Sequence, residues 1–161
     1  MKIVSCGQTG VDRGALDAAL AMQVPCGGWC PQGRMSEDGR IPEKYPLIVL
    51  SGSGYRQRTL KNVQDSDGTL ILMAGALTGG TKLTRDFCRR ERKPHHVVDA
   101  AQVPVPEAID GVGSFIVQHS IRVLNVAGPR ASGWSEGHQF AFDIICGVVQ
   151  YFAFEHYSKT Q

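Results

Sequence analysis

The sequence predicts a single-domain α/β fold over residues 1–161, with a mostly parallel sheet covered on both faces by helices to give three layers. Two observations carry this. Short apolar runs rich in β-branched residues alternate along the whole chain with longer segments of helical period. Three of those runs empty into glycine-bearing polar turns that lead straight toward a helix, and in a parallel sheet such turns gather at the carboxyl ends of the strands, where ligands bind. Composition agrees, since 42% hydrophobic and 20% charged residues are ordinary globular proportions and 161 residues can bury a substantial core. No linker, low-complexity run or solenoid-length repeat divides the chain.

In chain order, residues 2–5 read as the first strand and the Ala/Leu-rich residues 12–22 as the first helix. A weak strand at 24–27 precedes a long Gly/Pro-rich, charged stretch without clear period, expected to be irregular up to a strand at 47–50. A helix over 55–64, a strand over 69–73 and a helix over 81–91 follow, then a strand over 95–99, a helix over 113–120 and a strand over 122–127. The last helix, 136–156, is apolar around most of its circumference through Phe140, Phe142, Ile144, Ile145, Val148, Val149, Tyr151, Phe152 and Phe154. Such a helix is expected to lie both in the core and in a subunit interface, giving an even-numbered homo-oligomer.

The first glycine turn is Gly7-Gln8-Thr9-Gly10 with Asp12 and Arg13 just inside the helix. A strand, a turn without Cβ bulk and a helix start form an anion cradle, because backbone N–H groups converge there and the helix dipole adds positive potential. The second turn is Thr78-Gly79-Gly80-Thr81, whose hydroxyls offer further donors and a cap. It is not a P-loop, because the Gly-Lys-Ser/Thr ending is missing. The third is Gly128-Pro129-Arg130, with an arginine suited to a phosphate or carboxylate fork at its tip. Taken alone, the second turn reads equally as a plain glycine turn before a capped helix, and Arg130 reads first as a solvated surface charge. Together the three turns imply one phosphorylated, nucleotide-sized ligand touched by several loops.

In the stretch 28–47, Trp29 either stacks on a ligand ring or plugs the edge of the core. Arg34 either reaches a phosphate or pairs with Glu37 or Asp38, and the phosphate is preferred. Arg58, Thr59 and Asn62 share or approach one face of their helix. Asp67 is expected in a turn role rather than at a ribose hydroxyl. Cys6, Cys26, Cys30, Cys88 and Cys146 read as buried or half-buried reduced thiols, and neither they nor the five scattered histidines have metal-ligand spacing. Net charge is +2 with a pI near 8.3, which gives no bulk drive toward nucleic acid. With no basic-apolar leader and no apolar stretch of roughly 20 residues, the expectation is a cytoplasmic protein without a membrane or nucleic-acid partner.

The motifs Gly7-Gln8-Thr9-Gly10-Val11-Asp12-Arg13-Gly14-Ala15-Leu16-Asp17, Gly28-Trp29-Cys30-Pro31 with Gly33-Arg34, Glu37-Asp38-Gly39, Arg58-Thr59 with Asn62-Val63, Ser66-Asp67-Gly68-Thr69, Gly79-Gly80-Thr81 and Asn125-Val126-Ala127-Gly128-Pro129-Arg130 span nearly the whole chain. Together they resemble the putative molybdenum carrier family, similar to a circularly permuted branch of the Rossmann-like proteins that include the lysine-decarboxylase-like phosphoribohydrolases and the molybdenum-cofactor carrier. The resemblance implies a Rossmann-like site for a nucleotide or a molybdenum cofactor, at Gly7, Gln8, Thr9, Gly10, Asp12, Arg13, Arg34, Gly79, Gly80, Thr81, Gly128 and Arg130. It also marks a departure. The phosphoribohydrolases carry an acidic residue on the helical turn after their Gly-Thr, where this chain has Thr84, and Asp86 falls on another face. A carrier or binding protein is therefore the first expectation. An enzyme on nucleoside monophosphates comes second and would need Asp12, Asp17 or Asp86 at the ligand. A nucleotide-sensing module is third.

Overall fold

The computed structural model describes residues 1–158 apart from Ser53, with side chains to residue 153. Phe154 and His156 thus lie outside the described side chains. The elements run β1 (Lys2–Val4), α1 (Val11–Ala21), β2 (Cys26–Gly27), β3 (Trp29–Pro31), a 3-10 turn (Gln32–Arg34), β4 (Met35–Ser36), β5 (Gly39–Arg40), β6 (Ile48–Leu50), α2 (Tyr55–Gln64), β7 (Gly68–Met73), α3 (Gly79–Arg90), β8 (His95–Asp99), α4 (Val105–Gln118), β9 (Val123–Ala127) and α5 (Gly137–Ser158).

The central sheet has the order β2-β1-β9-β7-β8, with every neighbouring pair parallel. Asn125 of β9 lies opposite Val4 on one side and Thr69 on the other. From β1 the chain crosses to β2 at one edge, and from β7 it crosses to β8 at the other. β9 sits between β1 and β7, so this divergence opens a crevice above their carboxyl ends. The side chains of Ile3, Leu70, Leu72, Leu124 and Val126 join Ala15, Val112 and Ile144 in the main core, which places α1, α4 and α5 on one face. Val63, Phe87 and Cys88 form a smaller cluster under α2 and α3 on the other.

The apolar character of α5 follows from its place between α1 and α4. An added Cβ on Gly14 of α1 would lie 2.2 Å from the His138 carbonyl oxygen, so that glycine is what lets the two helices meet backbone to backbone. On the opposite side Gly147 faces Ile109 of α4. Ala141, Ile144, Ile145 and Val148 are buried. No described helix is long and apolar enough to cross a membrane.

Two expectations are corrected. The fourth helix begins at Val105, not 113, because Pro106 lies in its first turn, where no N–H is needed. The stretch 28–47 is also not irregular: β3 pairs in parallel with β6, β4 and β5 form a short hairpin, and Cys30, Ile41, Tyr45 and Leu47 pack on Leu16 as a core of their own.

Candidate functional site

The crevice is a cleft of about 750 Å³. Cys6, Asp12 and Asn125 line it from the sheet side, Tyr55, Arg56, Arg58 and Thr59 from α2, and Gly79, Gly80, Thr81 and Thr84 from α3. Gln8, Glu37, Gly128 and Arg130 come from the loops and hairpin at the remaining side.

The start of α3 is the open anion position. No side chain caps it from Thr78, and nothing lies within 4 Å of where a Cβ on Gly79 or Gly80 would stand. The first-turn N–H groups of a helix have no intrahelical acceptor, so here they are left for whatever enters the cleft. Thr84 donates its hydroxyl to the Gly80 carbonyl at 3.0 Å, which fixes that turn.

The first and third turns are held differently, each by the other. Gly10 has φ 77°, and a Cβ there would stand 2.6 Å from the Pro129 carbonyl oxygen, which itself accepts the Val11 N–H at 3.3 Å. A Cβ on Gly7 would strike Leu47, and one on Gly128 would strike the Leu72 carbonyl and Val11. Thr9 bonds through its hydroxyl to Glu37 and accepts the Ala131 N–H at 3.1 Å. Glu37 also takes the Ser132 N–H at 3.1 Å and hydroxyl at 2.5 Å, and its carboxylate lies 3.4 Å from Arg130 Nε. The Ser132 and Thr9 hydroxyl donors hold the Glu37 carboxyl below its ordinary range. The hairpin is latched as well, because Arg13 forks onto Asp38 at 2.5 and 2.8 Å and donates to Ser36 and the Gly7 carbonyl. That guanidinium lowers Asp38 to about 2. Glycine at these turns serves close packing within the protein, whereas the second turn has open space beside both of its glycines.

Asp12 is 5% exposed, and its Oδ2 accepts the Gln8 N–H at 3.2 Å. Burial pushes its carboxyl up to about 6, against the opposing pull of Arg58. Burial likewise raises the Cys6 thiol to about 11, so it stays protonated. Arg58 is 7% exposed and lies under Tyr55, its guanidinium carbon 5.2 Å from the ring centre. Its Nη1 is 3.9 Å from Asp12 Oδ2, too long for a hydrogen bond, and its sealed Nε has no partner. Asn125 gives its Nδ2 to Thr69 at 3.2 Å, while its Oδ1 is buried without a partner. Asn62 fastens α2 to β3 by accepting the Trp29 N–H and donating to the Trp29 carbonyl, both at 2.9 Å.

Of the residues singled out from the sequence, Gln8, Asp12, Gly79, Gly80, Thr81, Gly128 and Arg130 meet at the cleft. Gly7, Thr9, Gly10 and Arg13 stand behind it in the latch just described. Arg34 is elsewhere. Its side chain is 7% exposed, and the guanidinium donates to the carbonyls of Leu47, Pro42 and Tyr45, each at 3.0 Å, and of Ile41 at 3.3 Å. It holds the 41–47 turn together, so its donors are spent. Trp29 lines a separate cavity of about 200 Å³ and donates its ring N–H to Asp65 at 2.8 Å. Asp17 is bound by Lys44, Tyr45 and His138, and Asp86 pairs with Lys82 and Arg85, so neither faces the cleft. Asp67 accepts the N–H groups of Arg122 and Val123 in a turn. The cleft residue that sequence reasoning did not assign to the site is Arg58. Its signals are a shared helix face and the Arg58-Thr59 motif, and neither its burial nor its unpartnered Nε has a local signature.

All five cysteines are unpaired and buried or half-buried. Among the described residues no group of three or more His, Cys, Asp or Glu side chains is placed to hold a metal ion.

Comparison with known proteins agrees with this architecture. The family model of the circularly permutated YpsA SLOG family matches residues 3–149. A solved structure described as a putative molybdenum carrier protein, from Syntrophus aciditrophicus, is similar at 45% sequence identity and a TM-score of 0.90. The match covers 92% of this chain and 94% of that one. No curated protein matches the chain. With the family match running from β1 into α5 and the fold shared nearly end to end, the chain belongs to the circularly permuted YpsA SLOG family.

Proposed function

We propose that the chain binds a phosphorylated small molecule in the cleft, with the phosphate on the first turn of α3 and Arg130 as its outer counter-charge. The observation that carries this is the uncapped α3 start facing a cleft of about 750 Å³, beside Gly79 and Gly80 that leave room for close approach. A nucleotide suits such a site, and so does the phosphate end of a molybdenum cofactor. The name borne by the Syntrophus relative supports the latter, with molybdenum as cargo inside the organic cofactor. A carrier or binding role follows, in a protein that acts as a homo-oligomer in the cytoplasm.

One observation favours a second reading. Of the three acidic residues an enzyme on nucleoside monophosphates could use, Asp12 alone lines the cleft, and burial keeps its carboxyl near the pH at which a general acid or base works. Turnover of a nucleoside monophosphate that disappears in Asp12→Asn would move the function to this reading.

A thermal-shift panel of nucleotides, nucleoside monophosphates, nicotinamide cofactors and molybdenum cofactor tests the proposal, because a ligand of the native state raises the melting temperature by mass action. The expected result is a shift with at least one phosphorylated compound. Arg130→Ala, losing a charge-assisted bond, and Gly80→Val, pushing a side chain into open cleft, should each weaken that binding by about tenfold or more while melting like wild type without ligand. Undiminished affinity in both variants would remove the phosphate from this position.

A further inference from the structure

The geometry points to an anion subsite at Arg58 in which the ligand's oxyanion displaces the Asp12 carboxylate as the partner of the guanidinium, with Asp12 taking up one proton from solvent as it does so. The inference rests on the cleft being a phosphate site and names what Asp12 and Arg58 contribute there.

Arg58 is the starting point. It lines the cleft at 7% exposure, and none of its five N–H groups makes a hydrogen bond to a described residue. Its contacts are the face of Tyr55 and the Asp12 carboxylate at 3.9 Å. Arg34, equally buried, spends its donors on four carbonyls. A buried guanidinium left with its fork empty is costly, and a planar fork fits an oxyanion two bonds at a time. Asn125 adds a second unpartnered buried atom in the same cleft, an acceptor available to a hydroxyl of the ligand.

Asp12 supplies the coupling. Its surroundings give little besides Arg58 to keep it ionised. From the β1–α1 turn come the Gln8 N–H, the Ser5 hydroxyl and the neutral Cys6 thiol, and from α1 Arg13, whose fork is committed to Asp38. Asn125 of β9 and Thr81 and Thr84 of α3 carry no charge, and Glu37 and Arg130 pair with each other. An oxyanion on Arg58 takes away the counter-charge and adds repulsion, and both raise the carboxyl further above its already elevated position near 6. The bound state therefore holds a proton that the free state lacks between these two values. Affinity is then full below about pH 6 and falls as pH rises through that window, by up to about tenfold per pH unit.

Sulfate is the probe, because it matches a phosphate in shape while its charge stays fixed where phosphate monoesters titrate, near pH 6. Its affinity is measured by calorimetry at pH 5.5, 6.5, 7.5 and 8.5 and constant ionic strength, in buffers of differing ionisation enthalpy. The wild-type protein is expected to lose about tenfold affinity per pH unit above pH 6.5 and to take up close to one proton per sulfate at pH 7.5. Asp12→Asn should bind with no pH slope and no proton uptake, and Arg58→Met should not bind. Asp12→Asn alone decides the matter if Arg58→Met fails to fold. A flat wild-type profile, the same slope in Asp12→Asn, or no sulfate binding in either overturns the inference. If a phosphorylated compound still binds in an Arg130-dependent way, the cleft proposal survives that outcome. If no phosphorylated compound binds either, both fall.

Discussion

Arg34→Ala is expected to destabilise the protein by ~3 kcal/mol or more, a fall of roughly 6–12 °C in melting temperature for a chain of this size. The cost comes from both sides of the interaction. The carbonyls of Ile41, Pro42, Tyr45 and Leu47 lose the guanidinium at once, those of Pro42 and Tyr45 keeping only a backbone N–H, and the small core of Cys30, Ile41, Tyr45 and Leu47 loses the clamp that closes its turn. Arg34→Lys should recover little, since one ammonium cannot face four diverging acceptors. Thermal or urea denaturation of both variants checks this. An unchanged melting temperature with weakened ligand binding would instead return Arg34 to the ligand, as the sequence suggests.

Gly10→Ala is the second large effect expected, at roughly 3 kcal/mol. Its backbone has φ 77° and ψ −131°, a region closed to residues with a Cβ, and the added methyl would press into the backbone of Pro129, Arg130 and Ala131. The latch between the first and third turns should open, so that the N–H groups of Val11 and Ala131 lose their acceptors, Pro129 and Thr9. Denaturation together with hydrogen exchange at those two amides reads both consequences. A variant as stable as wild type, with slow exchange at both, would contradict the account of this turn.

Both expectations arise where residue pattern and three-dimensional role part company. The parallel sheet, its strands and four of the five helices are legible because apolar period is a local property. The start of α4 is hidden by Pro106, which is a helix breaker everywhere except the first turn that it occupies. The stretch 28–47 hides its order for another reason. Its strands are two or three residues long and find partners as distant as β6, so no period can build up.

At the site, the sequence singles out three turns that the structure gathers around the cleft and misses how each is held. A glycine that lets backbone approach a phosphate and one that lets backbone approach Pro129 look alike until the partner is known. The same holds for the arginines. Glu37 and Asp38 do form ion pairs, but with Arg130 and Arg13, while Arg34 turns to carbonyls and Arg58, among polar helix residues, faces Asp12 at 3.9 Å with its buried Nε unpartnered. The apolar face of α5 is legible, yet its cover by α1 and α4 is a long-range fact.

The proposed function turns on the first turn of α3 receiving the phosphate. It is tested most directly by the backbone amide resonances of Gly79, Gly80 and Thr81 during titration with adenosine monophosphate and with inorganic phosphate. These three are expected to move most in both titrations, as N–H groups that gain an acceptor do, while those of Gly7 and Gly10 stay near their starting positions. Perturbations centred on Gly7 and Gly10 with the start of α3 unmoved would contradict it.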